Sequence, residues 1–113
     1  MDTASAVVQA NVEELLILLK DADENVRIFA ALQLGSLGED AQAAVPALIE
    51  LLGSQDGIDR RLAALTLGQV GSAASEAVPL LVDALEDADG VLQQFAVEAL
   101  LKIEPEVVDS RAA

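Results

Sequence analysis

The sequence contains no cysteine, histidine, tryptophan or tyrosine, and only two aromatic residues, Phe29 and Phe95. Without cysteine there is no disulfide and no thiolate, so the chain could fold in a reducing compartment, and we expect it to be cytoplasmic. Without histidine or cysteine, the usual nucleophilic triads and the zinc sites with nitrogen or sulfur ligands are excluded. We therefore expect no catalytic, cofactor-binding or metal-binding residues, and we expect that the protein is not an enzyme.

Positive charge is also scarce, with 6 lysine and arginine residues against 20 acidic ones and a formal net charge of −14. Such a surface repels phosphate backbones and anionic lipids, so we expect neither nucleic acid nor a membrane surface as a partner. The longest apolar run, 15–19, is far shorter than the roughly 20 residues that a membrane-spanning helix needs. Residues 1–11 lack the lysine or arginine that opens a secretory signal. A protein partner with a basic surface fits this composition best.

Apolar residues make up 53% of the chain, and they are mainly leucine, alanine, valine and isoleucine, which favours helices over strands. The sequence aligns with itself at a shift of 33 residues without any gap, which is the signature of a repeat protein. The repeat predicts a single domain, 1–113, with units at about 12–44, 45–77 and 78–110 after an N-terminal extension, 1–11. The positions that match in all three units are Val12, Val45 and Val78; Leu15, Leu48 and Leu81; Leu19, Leu52 and Leu85; Asp23, Asp56 and Asp89; Ala30, Ala63 and Ala96; Leu34, Leu67 and Leu100; and Leu37, Val70 and Ile103.

Each unit is predicted to form two helices, at about 12–20 and 25–37 in the first unit, because apolar residues recur there at helical spacing. Aspartate before the second helix suits an N-cap, and proline in the first turn of the first helix is tolerated because its missing N–H costs nothing there. Glycine after the second helix predicts its end. Small residues in the second helices predict close packing between neighbouring units. The core-facing residues of the first unit's second helix are predicted to be Val26, Ala30, Gln33, Leu34 and Leu37.

The segments VPALIELL at 45–52 and VRIFAALQLGSLG at 26–38 resemble HEAT repeats, most closely the short bacterial and archaeal HEAT-like repeats of phycobilin lyases. The resemblance covers about residues 12–110. It implies an all-α fold, an α-solenoid of three HEAT-like helical hairpins arranged as a right-handed α-α superhelix. It also implies a ladder in which Arg27 and Arg60 pair with loop aspartates of adjacent repeats, Arg60 with Asp23 or Asp56. The third unit departs from the family pattern at Gln93, Leu101 and Glu104.

Two loops contain an Asp-x-Asp pair, at 21–23 and 87–89, which faintly suggests calcium. A calcium loop of the EF-hand type needs glycine at its sixth position, and here valine or leucine stands there. We therefore interpret the abundant carboxylates as a solvated acidic surface.

The units differ at positions that should face solvent. Apolar residues occupy more of these positions in the first unit than in the others, and a helix that is apolar on every side is normally buried on every side. The last unit has polar residues there, Gln93, Gln94, Glu98 and Lys102, which predicts a polar end of the stack. The compared positions are Ile17, with Glu50 and Asp83; Ile28, with Arg61 and Gln94; and Leu32, with Leu65 and Glu98.

Three explanations for the apolar first unit stay open: residues 3–10 cover it, two chains pair through it as a homodimer, or another protein binds it. We expect a non-enzymatic interaction or assembly module that binds a partner or a second copy through its first two units. The alternative is a phycobilin-lyase-like factor for chromophore attachment, which only the resemblance implies. The predicted partner-binding residues are Ile17, Ile28, Leu32, Arg61 and Leu65.

Overall fold

A computed structural model of the chain describes residues 12–107, and in this range it shows helices and no strand. Each repeat contributes two α-helices, and 3-10 helices at Gly38–Ala44 and Gly71–Ala77 connect one repeat to the next. The second helices begin 33 residues apart, so the predicted period of the sequence is the period of the structure. The α-helices are α1 (12–18), α2 (Glu24–Leu37), α3 (Val45–Leu52), α4 (Gly57–Val70), α5 (Val78–Ala84) and α6 (Gly90–Ile103).

The second helix of every repeat starts at its predicted N-cap, and in the first two repeats it ends at the predicted glycine. The side chains of Asp23, Asp56 and Asp89 accept hydrogen bonds from backbone N–H groups two residues further on, at 2.9, 2.9 and 3.0 Å. These bonds satisfy N–H groups that have no partner within the helix. At the other end, Gly38 and Gly71 have φ angles of +57° and +82°, a conformation that side chains other than that of glycine disfavour.

The helices form two layers around one aliphatic core. In one layer α4 packs between α2 and α6, while α3 packs on α4 and α5 packs on α6. Leu15 of α1 and Leu19, which directly follows this helix, belong to the same core. Because neighbouring repeats share this core, no repeat has to bury its apolar face alone. The largest side chains without solvent exposure are mainly leucines: Leu34, Leu48, Leu67, Leu81, Leu92 and Leu100.

Adjacent second helices approach each other at the small residues that the sequence singled out. A Cβ atom placed on Gly68 would lie 2.9 Å from the Cα atom of Ala99. A Cβ atom placed on Gly35 would overlap the side-chain amide of Gln69. The prediction of close packing between second helices is therefore confirmed.

Gln33 was predicted to face the core, and this prediction is wrong because Gln33 is exposed. Its counterparts Thr66 and Ala99 are buried, since each faces the second helix of the preceding repeat. The Thr66 hydroxyl, for example, donates to the backbone carbonyl of Ala31 at 3.4 Å. In the part of the chain that the structure describes, no second helix precedes α2, so no helix covers Gln33 in the way that α2 covers Thr66.

The end of the stack at α6 is less polar than predicted. Gln94, Glu98 and Lys102 are exposed as expected. However, Val97 and Leu101 are also exposed, by 37% and 49%. They stand at the positions where α4 carries Ala64 and Gly68, which are buried against α6. The prediction of a polar end was therefore wrong for the face that points away from α4.

Candidate functional site

The exposed faces of α2, α4 and α6 form one surface, which we call the second-helix surface. It consists of four equivalent positions in each helix, spaced three or four residues apart, and these positions are exposed or half-buried in all three repeats. Its residues are Asn25, Ile28, Leu32 and Ser36 in α2; Ile58, Arg61, Leu65 and Gln69 in α4; and Val91, Gln94, Glu98 and Lys102 in α6.

Apolar side chains cross this surface from one repeat to the next. Leu32, Ile58 and Val91 are exposed by 46%, 41% and 42%, and Ile28 and Leu65 on the same surface are half-buried. Three of the five predicted binding residues, Ile28, Leu32 and Leu65, thus lie together. Exposed apolar patches of this kind mark interaction sites in many proteins.

Ile58 and Val91 were missed by the sequence-based prediction. Their counterpart in the first unit is Asn25, so the comparison between units did contain the signal. Apolar residues at normally polar positions are most frequent in the first unit, and that unit has asparagine at this position. Apolar residues at this position occur instead in the second and third units, which extends the candidate site to α6.

Arg61 lies on the second-helix surface but is held by an ion pair. Its Nε and Nη2 atoms donate to the two carboxylate oxygens of Asp89 at 2.8 and 3.1 Å. The hydrogen bond from Arg61, followed by those from the backbone N–H groups of Leu92 and Val91, lowers the pKa of Asp89. The same pair raises the pKa of Arg61. Because Asp89 also caps α6, the pair fastens the second repeat to the third and orients Arg61 at the surface.

Arg27 makes the corresponding link between the first and second repeats. Its Nε atom lies 3.1 Å from a carboxylate oxygen of Asp59, and its Nη2 atom lies 3.7 Å from one of Asp56. Its Nη1 atom donates to the backbone carbonyls of Asp21 and Ala22 at 2.9 and 3.0 Å. The hydrogen bond with Asp59 is the main cause of the raised pKa of Arg27. The implied ladder between repeats is therefore present at Arg27.

Arg60 does not follow the implied ladder, and the predicted pairing with Asp23 or Asp56 is corrected here. Among the described residues no ion pair joins Arg60 to either aspartate, and its Nη1 atom donates to the backbone carbonyl of Ser54 at 2.9 Å. The pairs of Arg27 are with the following repeat, so the equivalent positions for Arg60 are Asp89 and Leu92. Asp89 is paired with Arg61, and buried Leu92 stands where Asp59 receives Arg27 one repeat earlier. The Nε atom of Arg60 is buried without a hydrogen-bond partner.

Ile17 is exposed by 73%, but it lies on α1 and not on the second-helix surface. Its counterparts Glu50 and Asp83 are exposed in the same layer of the fold. The structure therefore separates Ile17 from the other four predicted binding residues. Leu80, on α5 in that layer, is also exposed.

The loop aspartates are engaged in local structure. Asp21 and Asp87 each accept a hydrogen bond at 2.8 Å from the backbone N–H of the aspartate two residues later, which itself caps a helix. Over residues 12–107 there is no group of three or more acidic side chains placed to hold a metal ion. Within the same range, no helix has the length and apolar character that crossing a membrane requires.

This protein is an α-solenoid, because its equivalent helical hairpins share one core and stack through their second helices. Its sequence matches the family model of HEAT repeats over residues 11–109. The chain therefore belongs to the HEAT-repeat family, as the residues predicted. No curated protein matches the chain, and the narrower likeness to phycobilin-lyase repeats stays a prediction. HEAT repeats generally mediate protein–protein interaction or scaffolding and are typically not enzymes.

Proposed function

We propose that this protein is a non-enzymatic interaction module whose second-helix surface binds another protein. The observation that carries the proposal is the exposure of Ile58 and Val91 at equivalent positions of α4 and α6, and of Leu32 on the same surface of the adjacent helix α2. Burying such side chains against a partner removes apolar area from water, which is the main favourable contribution to most protein associations. Rows of apolar residues across stacked repeats also suit an extended partner segment.

The charge of the chain supports a basic partner. The net charge is −14, and two of the few cations, Arg27 and Arg61, are already paired with aspartates of the following repeat. On the second-helix surface itself exposed Glu98 is balanced by exposed Lys102, so the negative field comes from the rest of the chain. A partner segment with apolar anchors flanked by lysine or arginine would be attracted by this field, and its association rate would fall as salt is added.

A second copy of the chain is the other occupant to consider, and the exposure of Ile17 on α1 supports it. Two copies that each carry −14 repel one another, which favours a basic partner over a homodimer. Sedimentation velocity over a range of protein and salt concentrations separates the two occupants. A dimer that persists at low salt and is lost on Ile17→Glu would assign the first unit to self-association. A cytoplasmic location, expected from the absence of cysteine, stays a prediction.

The test uses affinity capture from cell extract with quantitative mass spectrometry, comparing the wild-type chain with Leu32→Glu combined with Ile58→Glu. Both side chains are more than 40% exposed, so the substitutions leave the core intact. The matched control is Leu80→Glu, because Leu80 is 40% exposed in the other helix layer. We expect capture of specific partners to fall at least about tenfold in the double variant, as for central interface residues. Equal capture by all three proteins would refute the proposal.

A further inference from the structure

A groove lies at the first end of the stack, between α1 and α2. It encloses about 220 Å³ and is open to solvent on one side. Phe29, exposed by 53%, is its largest apolar side chain. The lining residues are Glu14, Leu15, Leu18, Phe29, Gln33 and Leu37.

This groove occupies the place that the preceding repeat fills elsewhere in the stack. The counterparts of Gln33 are Thr66 and Ala99, and both are buried against a neighbouring second helix. Thr66 contacts the backbone of Ala31, and Ala99 lies beneath Gly68. Over residues 12–107, therefore, the groove is an inter-repeat contact of which only one helix is present, and the shape that completes such a contact is an α-helix.

The two complete contacts show what such a helix must present. In both of them the covering helix carries small residues four positions apart, Ala31 with Gly35 and Ala64 with Gly68, and all four are buried. A single added Cβ on Gly68 would already come within 2.9 Å of the opposite backbone. Residues four apart lie on one helix face, so a helix with this pattern can approach closely.

We propose that the groove binds a helix of another protein that carries two small residues four positions apart, flanked by lysine or arginine. The small pair follows from the two complete contacts. The basic flanks follow from Glu14, which lines the groove, and from the net charge of −14. This site is separate from the second-helix surface, so it goes beyond the function proposed above.

A second copy of the chain is a poor occupant on the same geometric grounds. The free face at the other end of the stack carries Val97 and Leu101 where the covering helices have alanine and glycine. Both side chains are exposed there. Because the contact at Gly68 has no room even for a methyl group, the leucine prevents copies from stacking end to end in the manner of the repeats.

The experiment measures fluorescence anisotropy of a labelled synthetic peptide added to the full chain. The peptide copies residues 57–70, which contain the pair Ala64 and Gly68, and has two lysines added at each end. We expect saturable binding that Phe29→Glu weakens at least about tenfold. The matched control Val97→Glu, at the opposite end face, should bind the peptide like the wild type. A peptide with Ala64→Leu and Gly68→Leu should also bind at least about tenfold more weakly.

Several results would overturn the proposal. They are the absence of saturable binding, equal loss in Phe29→Glu and Val97→Glu, and unchanged affinity of the leucine-substituted peptide. A gain in affinity on Val7→Ser with Val8→Ser in the full chain would overturn the choice of another protein's helix as the occupant, because the chain's own first residues, which lie outside the described range, would then compete for the groove. A dimer that Phe29→Glu converts to a monomer would assign the groove to a second copy.

Discussion

Replacing Gly68 by alanine tests the close approach of α4 and α6. The new Cβ would lie 2.9 Å from the Cα and 3.1 Å from the Cβ of Ala99, and neither atom can move without moving the backbone of α6. Overpacking of this kind costs about 1–3 kcal/mol, whereas alanine gains about 0.5–1 kcal/mol over glycine inside a helix. We therefore expect Gly68→Ala to lower the free energy of unfolding by about 1–2 kcal/mol.

The same substitution at the equivalent position of the first repeat should have the opposite sign. The Cβ added at Gly35 meets the side-chain amide of Gln69, while the Cβ of Gln69 stays at an acceptable 3.4 Å. Gln69 is exposed, so its amide can turn into solvent. Only the helix-propensity gain then remains, and we expect Gly35→Ala to be neutral or to stabilise by up to about 1 kcal/mol.

Urea and thermal unfolding followed by circular dichroism measure this difference. For a domain of this size, 1 kcal/mol corresponds to about 4–8 °C in Tm. The two variants differ by about 1–3 kcal/mol and should therefore melt about 4–24 °C apart. Gln69→Ala combined with Gly35→Ala is the control, because it removes the only side chain that has to move. If Gly68→Ala proves as stable as Gly35→Ala, α4 and α6 do not approach as closely as described, and a helix in the groove would need no pair of small residues.

Three further predictions concern the connections between repeats. Gly71→Ala should destabilise the protein by about 1 kcal/mol in urea unfolding, because the φ angle of Gly71 is +82°. The added Cβ would have no other atom within 4 Å, so the backbone conformation is the only cause of this loss. An unchanged unfolding midpoint would contradict the assigned conformation. Asp59→Asn should lower the free energy of unfolding by about 1–3 kcal/mol. This is less than the loss of a fully buried ion pair, because Arg27 keeps its hydrogen bonds to two backbone carbonyls. A smaller loss in the same assay would show that the ion pair is solvated. Arg61 lowers the pKa of Asp89, so the pair stabilises the fold above the ordinary aspartate pKa of about 3.9, and this contribution is lost as pH falls through the lowered pKa. Between pH 5 and pH 2 the Tm of Asp89→Asn should therefore fall less than that of the wild type, and parallel curves would contradict the assignment.

Most of the fold could be predicted from the sequence because the residues that determine it are close together in the chain and recur in every repeat. The N-caps at Asp23, Asp56 and Asp89, the helix ends at Gly38 and Gly71, and the 33-residue period all appear in the printed sequence. Each signal concerns residues within a few positions of one another. Three copies in register make a coincidence improbable, which is why the family match was expected from residues alone.

The candidate site was only partly predictable. Apolar residues at polar repeat positions pointed to Ile28, Leu32 and Leu65, and these lie on one surface because equivalent positions of stacked helices lie side by side. That they bind a partner stays a prediction. The same comparison placed Ile17 with them, although it belongs to the other helix layer. It also treated Arg61 as available to a partner, although Asp89 holds it.

The sequence by itself thus determined the repeat, the helices and the aliphatic core, since each follows from hydrophobic periodicity and capping within one unit. The tertiary structure alone decided how each unit is completed by its neighbour. Arg27 finds Asp59 in the next repeat, whereas Arg60 meets Leu92 at the equivalent place. Gln33 is exposed where Thr66 is buried, because only Thr66 has a second helix in front of it. These differences arise because the 33-residue period assigns the same structure to every unit, whereas the packing of a side chain depends on the unit that lies next to it.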